Sequence, residues 1–238
     1  MTVMGTAVGG PPSTSAHAAT PGTATAAPSP VVIADPVPLG FAGFGLTAML
    51  LAPIFAGWID TVDEPVVLGL ALPFGGLIQI LAGMWAFRRG NTFIATAFTS
   101  YGAFFISFAL IVQFYVPQVI AATVKGLGPG ATPPQILAAA TDHLNVILGL
   151  YLFVWGVFTT YMFVASLASA RAIQSAFFVG ILTFFALAIG KWAGSETWEH
   201  IGGVLGLLLA INALYVSFAD VANANFRRVI LPLGPPRA

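Results

Sequence analysis

The chain has no cysteine, which excludes disulfide frameworks, thiolate metal clusters and cysteine nucleophiles together. Charge is scarce as well. Eight basic and eight acidic side chains make up 7% of the 238 residues, against roughly 25% in an ordinary soluble domain. So few charges cannot cover a chain of this length with polar surface, so lipid must be most of its solvent. The formal net charge is zero, so there is no basic excess of the kind that binds nucleic acid. No His-Glu-x-x-His spacing, no serine–histidine–acid set and no glycine-rich phosphate loop is present. No catalytic residue, metal ligand or cofactor is therefore assigned, and the chain is read as not an enzyme.

What the sequence has in abundance is apolar: 58% of its residues are hydrophobic and 20 are phenylalanine. A bilayer core needs about 20 apolar residues in helical form. Six uncharged stretches meet or approach that length, near 39–58, 65–87, 92–116, 144–170, 172–190 and 201–219. They are apolar on most faces, without the alternation of barrel strands. The expected fold is an all-α membrane protein, a bundle of six transmembrane helices occupying residues 35–222. Residues 1–34 lack Lys, Arg, Asp and Glu and are rich in Ala, Pro and Thr. They have neither the basic start nor the continuous apolar run of a secretory signal, and are expected to be a disordered tail. Residues 117–143 form the one long connection, rich in Gly and Pro around 126–134, with 135–140 as a potential extension of the fourth span. Residues 223–238 are expected to be a cytoplasmic C-terminal tail.

Orientation follows from the basic residues. Arg88, Arg89, Arg171, Arg227, Arg228 and Arg237 fall on one side, against Lys125 and Lys191 on the other. The positive-inside rule then puts both termini in the cytoplasm. Trp58, Trp192 and Trp198 lie at span ends, where indole rings anchor helices at the interface. Small residues recur at four-residue spacing at Gly202, Gly206 and Ala210, and again at Ala186 and Gly190. Such spacing lets helices approach closely, either within one chain or between subunits.

The middles of the spans hold no ionisable group, the usual mark of an intramembrane site. They hold neutral polarity instead. Gln79 is the one strongly polar side chain deep in the second span, and Thr47, Asn91, Thr92, Thr96, Thr99 and Tyr101 add hydroxyls and an amide. Each of these serves either an ordinary helix contact or a pathway. Neutral dipoles suit a weak carboxylate that must bind and then leave, because a buried Lys or Arg would hold it too tightly. Glu199 and His200, at the outer end of the last span, are candidates for a proton relay. Pro53 and Pro73 are expected to kink the first two helices.

Several motifs agree in order and spacing with one family. Asp35, Pro36, Val37, Pro38, Leu39, Gly40 and Phe41 resemble the Asn-Pro-Ala-Pro-Leu-Gly-Leu entry of the acetate uptake transporters, the succinate–acetate permease group. The blocks 75–79, 82–85, 90–93 and 96–102 resemble that family's second and third spans, 152–159 its fourth, and 229–232 its tail. The resemblance implies a hexamer whose subunits each carry a pathway. It implies acetate, succinate or related short carboxylates as substrate, moved with a proton or as the weak acid. It also implies a constriction at Phe44, Tyr101 and the position of Gly180, with Ala213 facing the pathway. The family keeps a leucine where Gly180 stands, so the narrow section is expected to be wider here and less strict against larger acids such as lactate. Asp35 replaces the usual Asn; an anionic Asp at the entrance would repel substrate unless it is protonated or caps the first helix. Two other functions stay open on the sequence: a membrane-bound regulatory or sensory protein of the same fold, and a path for another small solute such as ammonia.

Overall fold

A backbone crosses hydrocarbon only if every N–H finds a carbonyl, and a helix provides one within its own segment. The computed structural model describes residues 33–235. Among them six helices are long and apolar enough to span a bilayer: Val37–Phe55, Thr61–Arg88, Thr92–Leu127, Pro133–Ser166, Arg171–Ala193 and Glu196–Phe226. They are the first to sixth helices in chain order. No strand occurs among the described residues. The expected tail, apart from Ile33 and Ala34, lies outside the described residues.

The third and fourth helices run further than hydropathy suggests. The expected 117–143 connection shrinks to the few residues between Leu127 and Pro133. The third helix passes Pro117 by widening into π-helical turns over Ile111–Tyr115, after which Pro117 stands in the first turn of Val116–Leu127, where its missing N–H costs nothing. Gly128, at φ 81°, ends the helix. The Thr132 N–H donates to Gln135 Oε1 at 2.9 Å, and Pro133 opens the fourth helix. At 36 residues, the third helix is about 54 Å long and projects beyond a core about 30 Å thick.

The helices close into a ring, with the first packed on the sixth, the sixth on the fifth, the fifth on the fourth, the fourth on the third, and the third on the second, which returns to the first. Glycines make these approaches. A Cβ on Gly203 would land on the Phe55–Ala56 backbone of the first helix, and one on Gly83 would stand 2.9 Å from the Thr99 backbone nitrogen of the third. Gly202 faces Leu187, Gly206 faces Ala52 and Thr183, and Gly190 faces Glu199. The small-residue spacing noted on the fifth and sixth helices therefore serves packing within the chain. In the entrance motif, Gly40 has the Phe98 ring where a side chain would begin.

Pro73 does more than kink its helix. It lies in a π-helical stretch, Ala71–Ile78, in which the Gln79 N–H reaches back to the Phe74 carbonyl. The wider turn removes the clash that proline makes with the carbonyl of the preceding turn. It also adds a residue just ahead of Gln79, whose side chain is turned inward and is 1% exposed. At the other end of the chain, residues 230–234 fold back on the bundle. Asn223 holds the Ile230 and Leu231 amides at 2.6 and 3.0 Å, and the Leu233 and Gly234 carbonyls accept the Ala172 and Arg171 N–H groups. The tail thereby satisfies first-turn amides that the fifth helix cannot satisfy itself.

Candidate functional site

All six helices contribute to one internal cavity of about 40 Å³, well above the ~10–15 Å³ that a single water requires. Phe44, Gln79, Tyr101, Gly180 and Ala213 meet there. Thr47, Asn91 and Thr92 do not. Thr47 donates to the Gly43 carbonyl at 2.9 Å and is fully buried against Gly75. Asn91 caps the third helix, its Oδ1 accepting from the Ile94 N–H at 3.0 Å, and Thr92 beside it is exposed. Side chains not singled out from the sequence, among them Phe98, Phe177, Phe184 and Leu209, complete the wall together with Thr159.

The lining is almost wholly apolar, and no cation among the described residues reaches it. Phe44 stands edge-on to Tyr101 and Phe105, with ring centroids 5.7 and 5.5 Å apart, and Phe104 packs on Phe184 at 5.4 Å. Three polar side chains interrupt this surface. Thr159 donates its only hydroxyl proton to the Trp155 carbonyl at 2.7 Å, so in the 2.9 Å contact between them the Tyr101 hydroxyl is the donor. Tyr101, in the cavity wall, therefore keeps an acceptor lone pair and no free proton. Gln79 Oε1 is buried with no hydrogen-bond partner among the described residues, a state that costs about 1–3 kcal/mol if nothing in the cavity pairs with it. A Tyr101→Phe variant should lose about 1 kcal/mol through its bond to Thr159, seen as a small drop in the unfolding midpoint in detergent; an unchanged midpoint would mean the bond contributes nothing.

Beyond Phe44 the cavity meets a vestibule of about 650 Å³, with Phe44, Phe184 and Leu209 lining both. The vestibule mouth carries Asp60, Glu64, Glu196 and Glu199 against Lys191 and His200. Lys191 Nζ is committed to Glu199 Oε2 at 2.8 Å, and His200 packs on Gly57. Both relay candidates thus stand at the vestibule, away from the inner cavity. At the opposite end Asp35 caps the first helix and is paired with Arg89. Its Oδ1 accepts from the Val37 N–H at 3.0 Å, and its Oδ2 lies 3.5 Å from Arg89 Nη2, while Arg89 Nη1 donates to the Ile33 carbonyl at 2.9 Å. The sixth helix is tied to the same motif where Ser217 donates to the Pro38 carbonyl at 2.7 Å. Leu39 points outward, 44% exposed.

A ring of six membrane-length helices around an apolar cavity is the architecture of a multi-pass membrane protein. Comparison with known proteins places it further: the pattern of the GPR1/FUN34/yaaH family matches residues 16–235, and the chain belongs to that family. It is 37% identical over 203 residues to the succinate-acetate/proton symporter SatP of Escherichia coli K12, covering 85% of this chain and 96% of that one. Acetate permease A of Emericella nidulans is 34% identical over 84% of this chain and 65% of its own length. Among solved structures, the bacterial acetate channel SatP superposes with a TM-score of 0.71 at 36% identity, over 85% of this chain and all of that one. These relatives are named as transporters, channels or permeases, which points away from catalysis.

Proposed function

We propose that this protein moves acetate and related short carboxylic acids across the plasma membrane through the cavity of each subunit, and that the species passing Phe44 is the protonated acid. The observation that carries this reading is the hydrogen-bonding inventory of the cavity. An acetate anion asks only for donors, and among the described residues the lining offers it no cation and few free donors. Acetic acid asks for an acceptor for its O–H and a donor for its C=O, and the side-chain amide of Gln79 carries both. Turned toward such a ligand, its orphaned oxygen gains the partner it lacks. The Tyr101 oxygen, in the wall of the same cavity, is a second acceptor. The acidic vestibule mouth supports the same species, since it disfavours anions and leaves neutral molecules unaffected. Succinate and lactate fall in the same chemical class.

The basic residues support a cytoplasmic location for both termini, with the vestibule facing outward. A homohexamer, expected from the family resemblance, is compatible with a cavity complete within one chain. The test is uptake of labelled acetate by purified protein in liposomes, with the leak of empty vesicles subtracted. At fixed total acetate and well above the acid's pKa, the protein-dependent rate should fall about tenfold per pH unit, following the undissociated acid. No uptake above empty vesicles would reject the transport reading, and a rate that stays level as pH rises would assign the anion. Flux of ammonia that is insensitive to competing acetate would favour a path for another solute.

A further inference from the structure

Phe44, Phe184 and Leu209 line both the inner cavity and the vestibule, so they form the septum between them. One turn before Phe184, inside the cavity, the fifth helix presents no side chain, because Gly180 stands there. A Cβ on Gly180 would lie 3.2 Å from Thr159 Cγ2 and 3.6 Å from Leu209 Cδ2. The space in front of Gly180 is therefore bordered by the Thr159 methyl of the fourth helix and by the branched end of Leu209, which reaches over from the sixth helix and is 7% exposed.

We propose that Leu209 is a specificity-determining residue of the pathway: it occupies room that Gly180 leaves open and limits the size of acid that crosses the septum. The proposal rests on reading the cavity as a carboxylic-acid pathway. A glycine on the fifth helix by itself suggests a wide passage, tolerant of lactate. Leu209 reverses that expectation, because bulk absent from one helix is supplied by its neighbour. An apolar wall discriminates by shape, and one added methylene in a close-fitting apolar site changes selectivity by about tenfold or more. Leu209 is suited to this role because its methyls touch the open space while its backbone is fixed within a helix, so the wall stays in place as solute passes.

Four proteins decide the matter: wild type, L209A, G180L and the double variant G180L/L209A, each in liposomes with labelled acetate, propionate and lactate and with empty-vesicle leak subtracted. L209A should raise the propionate-to-acetate and lactate-to-acetate rate ratios about tenfold. G180L places a second isobutyl group in space that Leu209 already fills, and should cut acetate uptake about tenfold. The double variant moves the bulk from the sixth helix to the fifth and should recover uptake and ratios to within about twofold of wild type. Active wild type with unchanged ratios in L209A would overturn the proposal. So would a double variant no better than G180L. Wild type without acetate uptake would overturn the carboxylic-acid reading, and the selectivity role with it. The shared space is decided separately by thermal unfolding in detergent. G180L should lower the midpoint and the added L209A should restore it, whereas additive losses would show that the two positions do not compete.

Discussion

Gln79→Leu is expected to make the protein more stable and nearly inactive. The two effects have opposite signs because they come from the same atoms. Gln79 is 1% exposed and its Oε1 has no partner among the described residues, so the resting protein carries a buried amide oxygen that no protein group satisfies. Replacing it with an apolar side chain of similar size removes that cost and should raise stability by about 1–3 kcal/mol. The same change removes the one group in the cavity that can both donate to and accept from a carboxylic acid. Loss of a preorganised hydrogen-bonding group in a water-poor site lowers rates by about 100-fold or more, and protein-dependent acetate uptake should fall by that order. The checks are the unfolding midpoint in detergent and the liposome rate on the same preparation. A variant that is less stable and still transports would show that Gln79 is a structural contact between helices.

Gly203→Val should yield little or no folded protein. A Cβ at this position falls on the Phe55–Ala56 backbone, which cannot rotate aside as a side chain can. The first and sixth helices would have to separate, and the first helix carries Phe44 to the cavity. Overpacking costs about 1–3 kcal/mol when side chains can adjust; a backbone obstacle raises that cost toward the total stability of about 5–15 kcal/mol. Gly180→Ala is the control, because its nearest neighbours are side-chain methyls at 3.2 and 3.6 Å. Size-exclusion profiles of the two variants, expressed in parallel, should show a monodisperse peak for Gly180→Ala and aggregate for Gly203→Val. A monodisperse Gly203→Val protein would mean that the helix contact is looser than described.

The six spans were legible because hydropathy reports what lipid demands of a chain. It does not report where a helix ends once the chain leaves the bilayer. The stretch after Pro117 reads as loop, yet it is helix, because the widened turn over Ile111–Tyr115 absorbs the proline. The same uniformity hides the site. On helices that are apolar on most faces, no periodic pattern separates a phenylalanine that meets lipid from one that lines the cavity. Gln79 stood out because a primary amide deep in a span demands an explanation, and Phe44, Tyr101 and Gly180 stood out through resemblance. Phe184 and Leu209 carry no such signal. Asn91 and Thr92 misled because a polar residue at a span end caps a helix as readily as it lines a path, and Asn91 does the former. The fit of Leu209 beside Gly180 belongs to the relation between two helices and is absent from either segment alone.

The central claim is that a carboxylic acid sits against the Gln79 amide in the cavity behind Phe44. Solid-state NMR in bilayers can measure it directly, as the dipolar coupling between ¹³C-carboxyl acetate and ¹⁵N-labelled glutamine side chains, with Gln79→Leu protein as the background. The account predicts a coupling for a separation of about 4 Å, as expected for a hydrogen bond to a carboxyl oxygen, lost in the Gln79→Leu sample. Dephasing that is equal in the two samples would place the acid elsewhere and contradict the account.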